Sequence, residues 1–175
     1  AMRALAQAAG RHLPVAPLAE AALAYALAAR AGLALPPGVV TLSAGLRGGS
    51  PAWHATAVPW GEAAAQVVLW QGRHLACVAG PGATMVAHAG LAGSAEADAQ
   101  WPAEAVHSQG ELPQACDADL ALAAVRCAQM AGALEAVLAL TLQHAQDRRQ
   151  FGRPIGQFQA IGQQVAVLAE DVFAA

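Results

Sequence analysis

The chain is poor in charge, in aromatic side chains and in cysteine, and each scarcity argues against something. Charged residues make up 12 % and the formal net charge is −3, so there is no global basic surface to hold a nucleic-acid backbone. Cys77, Cys116 and Cys127 are odd in number, widely spaced and without a CxxC pair. That pattern argues against a disulfide framework or a zinc site, suits a reducing compartment, and makes the expected location cytoplasmic. Long apolar runs are also lacking. The best, residues 21–29, lies between Glu20 and Arg30 and falls far short of the ~20 residues that cross a bilayer, so no membrane span is expected. The six histidines include no pair at helical ligand spacing, and no metal is expected. No Ser occupies a G-x-S-x-G elbow, and no lysine follows Gly48-Gly49-Ser50 as in a P-loop. Gly80-Pro81-Gly82 lacks the third glycine of a dinucleotide fingerprint and reads as a turn. Aromatic residues total 5 %, so the core has to lean on Leu, Val and four Trp, because abundant alanine adds helix propensity and little buried area.

What is present falls into three textures, an α+β multi-domain pattern that is mostly helical. Residues 1–35 read as a helical N-terminal remnant, interrupted near Pro14 and Pro17, with Leu18, Ala22, Tyr25 and Ala29 on one face and Gly32 closing it. Ala1 ahead of Met2 reads as an appended residue. Residues 36–113 carry short β-prone runs: Val39-Val40-Thr41-Leu42, then 53–58, 67–70, 74–78 and 84–86. Turns such as Gly48-Gly49-Ser50-Pro51 and Gln71-Gly72 separate them, which predicts a small antiparallel β-domain ending in a loop over 95–114. Residues 114–175 return to the helical period. Asp117 or Asp119 caps a long helix with a stripe of Leu120, Ala124, Cys127, Ala131, Leu134, Leu138 and Leu142. Gly152-Arg153-Pro154 breaks it, with Pro154 suited to the first turn of a second helix whose stripe is Phe158, Ile161, Val165, Leu168 and Val172. That antiparallel helical bundle is expected to be incomplete at its end, because the stripe is still running at Ala175.

The corner between these helices, DRRQFGRPIGQFQ, gathers chemistry in a chain that otherwise spreads polar groups thinly. For one arginine, the negative end of the helix dipole is reason enough to stand there. Gln150 and Phe151 add an amide and a ring, and Gln159 stands at the start of the next helix. Guanidinium for phosphate, ring for stacking and amide for a base edge suit a nucleotide-containing cofactor.

This corner resembles the signature that opens the C-terminal helical domain of the acyl-CoA dehydrogenase family. The matching residues are Arg148, Phe151, Gly152, Phe158, Gln159 and Ile161, with Gly132 at the family's mid-helix glycine. AGRHLPVAPLAEAALAYALAARAG is similar to the last part of the family's N-terminal helical domain, and HATAVPWGEAAAQVVLWQGRHLACV to a passage of its β-domain. The resemblance implies an oxidoreductase and flavoprotein of fatty acid metabolism, an FAD-dependent acyl-CoA dehydrogenase that oxidises the α,β C–C bond of an acyl-CoA thioester. It further implies that Arg148, Gln150, Phe151 and Gln159 contact FAD held by an adjacent subunit. A homo- or hetero-oligomer, dimer or tetramer, follows from that sharing. The chain departs from the pattern in two places. The Thr-Glu-Pro and Gly-Ser-Asp stretch that holds the flavin ring is missing, with Gly48-Gly49-Ser50-Pro51 its faintest echo. No catalytic base is visible: Leu122-Ala123 stands where a subset of the family places its Glu, and Glu135 reads as a solvated side chain. Three readings stand: a working dehydrogenase, a degenerate non-catalytic subunit that lends its corner to a partner, and a helical interaction module without flavin.

Overall fold

Pro14 and Pro17 split the first periodic segment into α1 (Met2–His12) and α2 (Leu18–Arg30), since a proline offers no N–H and crowds the preceding turn. This computed structural model of the protein describes residues 1–47, 53–90 and 95–175. The buried residues of α2 are Ala19, Glu20, Ala24, Leu27 and Ala28, so Leu27, expected at the flank of the stripe, is buried while Leu18 and Tyr25 of the stripe itself are exposed. Alanines are small enough to bring α2 close onto a sheet, and the larger Tyr25 is left outside.

The five β-prone runs become β1 (Val40–Ala44), β3 (Trp53–Pro59), β4 (Gln66–Gln71), β5 (His74–Ala79) and β6 (Thr84–Ala89), and a two-residue strand that was not expected, β2 (Leu46–Arg47), follows β1. The Gly48-Gly49-Ser50-Pro51 turn lies outside the described residues. The expected loop over 95–114 is a correction. It contains β7 (Ala95–Trp101) and β8 (Val106–Glu111), joined by a short 3-10 turn. Ala95, Ala97, Ala99 and Trp101 alternate with Glu96, Asp98 and Gln100, so the period of two was present in residue types that seldom favour strands. Ala99 is buried in the cluster of Trp53 and Trp101, and Ala97 is buried where its methyl lies against Gly61.

The strands form two four-stranded sheets, ordered β1-β4-β5-β8 and β2-β3-β7-β6. β1 pairs with β4 in parallel; the other pairings are antiparallel. Alternation along β4 and β5 divides their side chains between two layers. Val68, Trp70, Leu75 and Cys77 meet α2, while Val67, Leu69, Ala76 and Val78 meet Trp53, Val58 and Trp101 of the other sheet. The buried indoles keep their hydrogen bonds, Trp70 Nε1 donating to Gly72 O at 2.9 Å and Trp101 Nε1 to Ala79 O at 3.0 Å. A bulge in β3 sets Thr56 and Ala57 opposite Asp98, and Asp98 Oδ1 accepts the Ala57 N–H at 2.9 Å.

α3 (Ala118–Asp147) starts where Asp117 Oδ1 accepts the Leu120 N–H at 3.1 Å, so Asp117 is the cap. Its expected stripe does not hold: Leu120 is 69 % exposed and Cys127 is exposed, whereas Gly132 and Ala145 are buried. In a helix apolar all round, periodicity selects no face, and the closest approach selects it instead. A methyl on Gly132 would overlap the Gln7 carbonyl of α1, and one on Gly10 would overlap the Gln129 carbonyl. Glu135 is a correction too. Its side chain is partly solvated, but it also accepts from Gln7 Nε2 at 2.6 Å and meets Arg11 at 3.4 Å, tying α1 to α3. By length and composition α3 is also apolar enough to cross a membrane, unlike the residue 21–29 run. Asp119, Arg126, Glu135 and Asp147 nonetheless interrupt any uncharged stretch of ~20 residues.

After α3 come β9 (Arg149–Gln150), β10 (Arg153–Pro154), a 3-10 turn and α4 (Gln159–Ala174). Pro154 therefore sits in β10 and leads the 3-10 turn, not the first turn of α4 as expected. The α4 stripe is half-buried to buried at Phe158, Ile161, Val165, Leu168 and Val172. The chain divides into two compact units. One holds Ala1, residues 3–13 and 126–175; the other holds Met2 and residues 14–125.

Candidate cofactor-contact corner

The corner folds as a hairpin of the smallest kind. Gln150 pairs with Arg153 and Arg149 with Pro154, leaving Phe151 and Gly152 as the two turn residues. Both have positive φ, 50° and 81°, the requirement of a type I′ turn that matches the twist of its strands. Gly152 adopts this freely, but a bulky side chain at positive φ is a strained exception. Phe151 is also 92 % exposed, so a strained backbone presents an aromatic ring to the outside. The Arg148 backbone anchors the hairpin at its base. Its N–H donates to His144 O at 2.9 Å, and its carbonyl accepts the Ile155 N–H at 2.8 Å.

Of the residues expected from sequence, Arg148, Gln150 and Phe151 thus share one hairpin, and Gln159 is the first residue of α4, exposed. Two further residues complete the corner. The Arg153 guanidinium lies over the Phe158 ring, 4.2 Å from its centroid, and Phe158 stands edge-on to Phe151 at 6.2 Å and 84°. Sequence reasoning passed over Arg153 as part of a turn. The signal available was a non-glycine followed by glycine between two short extended pairs, which places Arg153 opposite Gln150. Three arginines, Arg148, Arg149 and Arg153, against Asp147 alone make the corner cationic.

Behind the hairpin a cleft of about 380 Å³ separates the end of α3 from the start of α4, lined by Leu142, Ala145, Gln146, Gly156, Gln157 and Val165. Elsewhere a cavity of about 410 Å³ lies between the ends of β1 and β4 and the start of α3, beside Cys116 and Asp117. There the Cys116 Sγ faces the Asp117 backbone carbonyl at 3.8 Å, while the Asp117 carboxylate is taken up by the Leu120 N–H, so the thiol is not paired with a carboxylate base. Among the described residues no group of three or more His, Cys, Asp or Glu could hold a metal ion.

The fold is that of the acyl-CoA dehydrogenases, and solved structures of that class match nearly the whole chain. A variant of the Tcur3481–Tcur3483 steroid ACAD is 24 % identical with a TM-score of 0.67, covering 99 % of this chain and 57 % of its own. The ChsE4–ChsE5 complex from Mycobacterium tuberculosis is 23 % identical with a TM-score of 0.65, covering 98 % of this chain and 56 % of its own. The chain therefore spans little more than half the length of these relatives. No curated protein matches it by sequence. The profile described as acyl-CoA dehydrogenase, C-terminal domain, matches residues 120–175, the segment that contains the hairpin. The match is confined to that segment, and over the rest of the chain the likeness to the acyl-CoA dehydrogenases is one of fold.

Proposed function

We propose that the chain is one subunit of an FAD-dependent acyl-CoA dehydrogenase and lends its arginine-rich hairpin to flavin held mainly by a partner chain. The observation that carries this reading is Phe151, a bulky residue kept at positive φ and 92 % exposed between arginines. Strain of this kind persists where it serves a site, and solvent alone gives no reason for it. The residue chemistry fits the diphosphate and adenosine end of FAD. Arg148 offers a fork for a pyrophosphate oxygen pair, Phe151 a stacking face, and Gln150 and Gln159 amides that both donate and accept.

Bound FAD supplies the hydride acceptor for α,β-dehydrogenation of an acyl-CoA. The work of this chain is to anchor and orient the far end of that group, and positioning of this sort is a legitimate part of catalysis. The Tcur3481–Tcur3483 steroid ACAD and the ChsE4–ChsE5 complex each pair two differently named chains, which supports a hetero-oligomer of dimer or tetramer size for this chain as well. Glu135, the one carboxylate within the middle of α3, is engaged by Gln7 and Arg11, which supports placing the base on another chain.

The test is flavin affinity in the complex with a candidate partner chain. Arg148→Ala removes a charge-assisted hydrogen bond worth about 1.5–3 kcal/mol, or about ten- to a hundredfold in the FAD dissociation constant. Arg148→Lys recovers only part of it, because a point charge cannot reproduce the bidentate fork. Unchanged FAD affinity in Arg148→Ala, with the assembly intact, overturns the assignment.

A further inference from the structure

We propose that Arg153 is a positioning residue: its guanidinium holds the Phe158 ring in one orientation, so that Phe158 and Phe151 form a ready-made aromatic wall that selects adenine-bearing ligands at the corner. The inference rests on the reading of the corner as the adenosine-diphosphate end of a flavin site.

Three features point to it. The guanidinium sits 4.2 Å from the Phe158 centroid, well inside the range in which a cation is drawn to the face of a ring. Arg153 makes no ion pair among the described residues, so the ring is the partner its charge has. Its backbone is pinned as well, through its pairing with Gln150 and the fixed φ of Pro154 that follows. Arg153 therefore links the hairpin, with Phe151 at its tip, to the residue that precedes α4. A half-buried phenyl ring such as Phe158, left without the guanidinium, samples more than one rotamer and loses that freedom on stacking. A ring already held edge-on to Phe151 loses less, which favours a ligand that carries a base over one that carries only phosphates.

The measurement is titration of the chain, in flavin-free complex with the candidate partner chain, with ADP and, separately, with inorganic pyrophosphate, a similar charge without a base. A general electrostatic role for Arg153 weakens both alike and leaves their affinity ratio unchanged. The positioning role predicts that R153M lowers the ADP-to-pyrophosphate ratio about two- to fivefold, the span of an exposed cation–π contact. R153K, which keeps a cation over the ring, restores most of the ratio. F158L lowers it as R153M does, and R153M added to F158L lowers it no further. A ratio unchanged in R153M, or full additivity of the two variants, overturns the inference while leaving the corner reading in place. If the wild-type chain binds neither probe, the corner reading fails, and this inference with it.

Discussion

In the paired sheets, β4 and β5 are sealed on both faces, one against α2 and the other against the second sheet. Val67, Val68, Leu69 and Val78 are wholly buried there. In the helical unit α3 is apolar around its whole circumference, yet Met130, Val137 and Leu140 remain exposed and the tightest contacts are made by glycine. The sheets reach stability by filling volume with large side chains. The helices that carry the corner bring backbones together and leave apolar side chains exposed. The two units should consequently fail in different ways.

The largest effect is expected at Trp101, fully buried and hydrogen-bonded through Nε1. Trp101→Ala should cost about 3–5 kcal/mol, whereas Phe173→Ala, at an 87 % exposed position of α4, should stay within about 0.5 kcal/mol. Urea unfolding of both variants checks the contrast, and a comparable loss at Phe173 would show that the helical surface is occupied in the isolated chain.

Next is the glycine contact. Gly132→Ala adds a methyl where the Gln7 carbonyl stands, and the overpacking should cost about 1–3 kcal/mol despite alanine's better helix propensity. Loss of α1 protection in hydrogen exchange, with β4 and β5 still protected, would place the damage in the helical unit. Uniform loss would break the division drawn here.

Smaller still is the strain at Phe151. Asparagine tolerates positive φ, so Phe151→Asn should raise stability by up to about 1 kcal/mol while weakening ADP binding. A destabilised variant would mean that the ring contributes packing which its exposure does not suggest.

The smallest effect is a pH dependence in the β unit. Asp98 is held below the usual carboxylate range, first by the Ala57 N–H at the bulge and then by His88, 3.2 Å away. A depressed acid contributes stability that is present above its unfolded pKa and is lost as pH falls through its folded pKa. Asp98→Asn should flatten the acid side of the stability–pH curve, measured by thermal unfolding between about pH 5 and pH 2, and an unaltered curve would remove Asp98 from the account.

Sequence alone determined the broad order of elements and the corner. Proline breaks, β-branched runs and turn glycines act through local backbone sterics, which need no partner to operate, so α1, α2, β1 and β3 to β6 were legible, though the two-residue β2 was not. The corner was legible because arginine, glutamine and phenylalanine stand out against alanine. Only tertiary structure decided the rest. β7 was hidden because Ala, Glu, Asp and Gln have little intrinsic strand preference, and the neighbouring β3 and β6, with the buried Trp53 and Trp101, make that segment a strand. The buried face of α3 was hidden because alanine makes every face apolar, and only the approach of α1 singles out Gly132. Arg153 was hidden because a cation over a ring is a relation across a turn, which exists only once Phe151 and Gly152 have bent the chain back on itself.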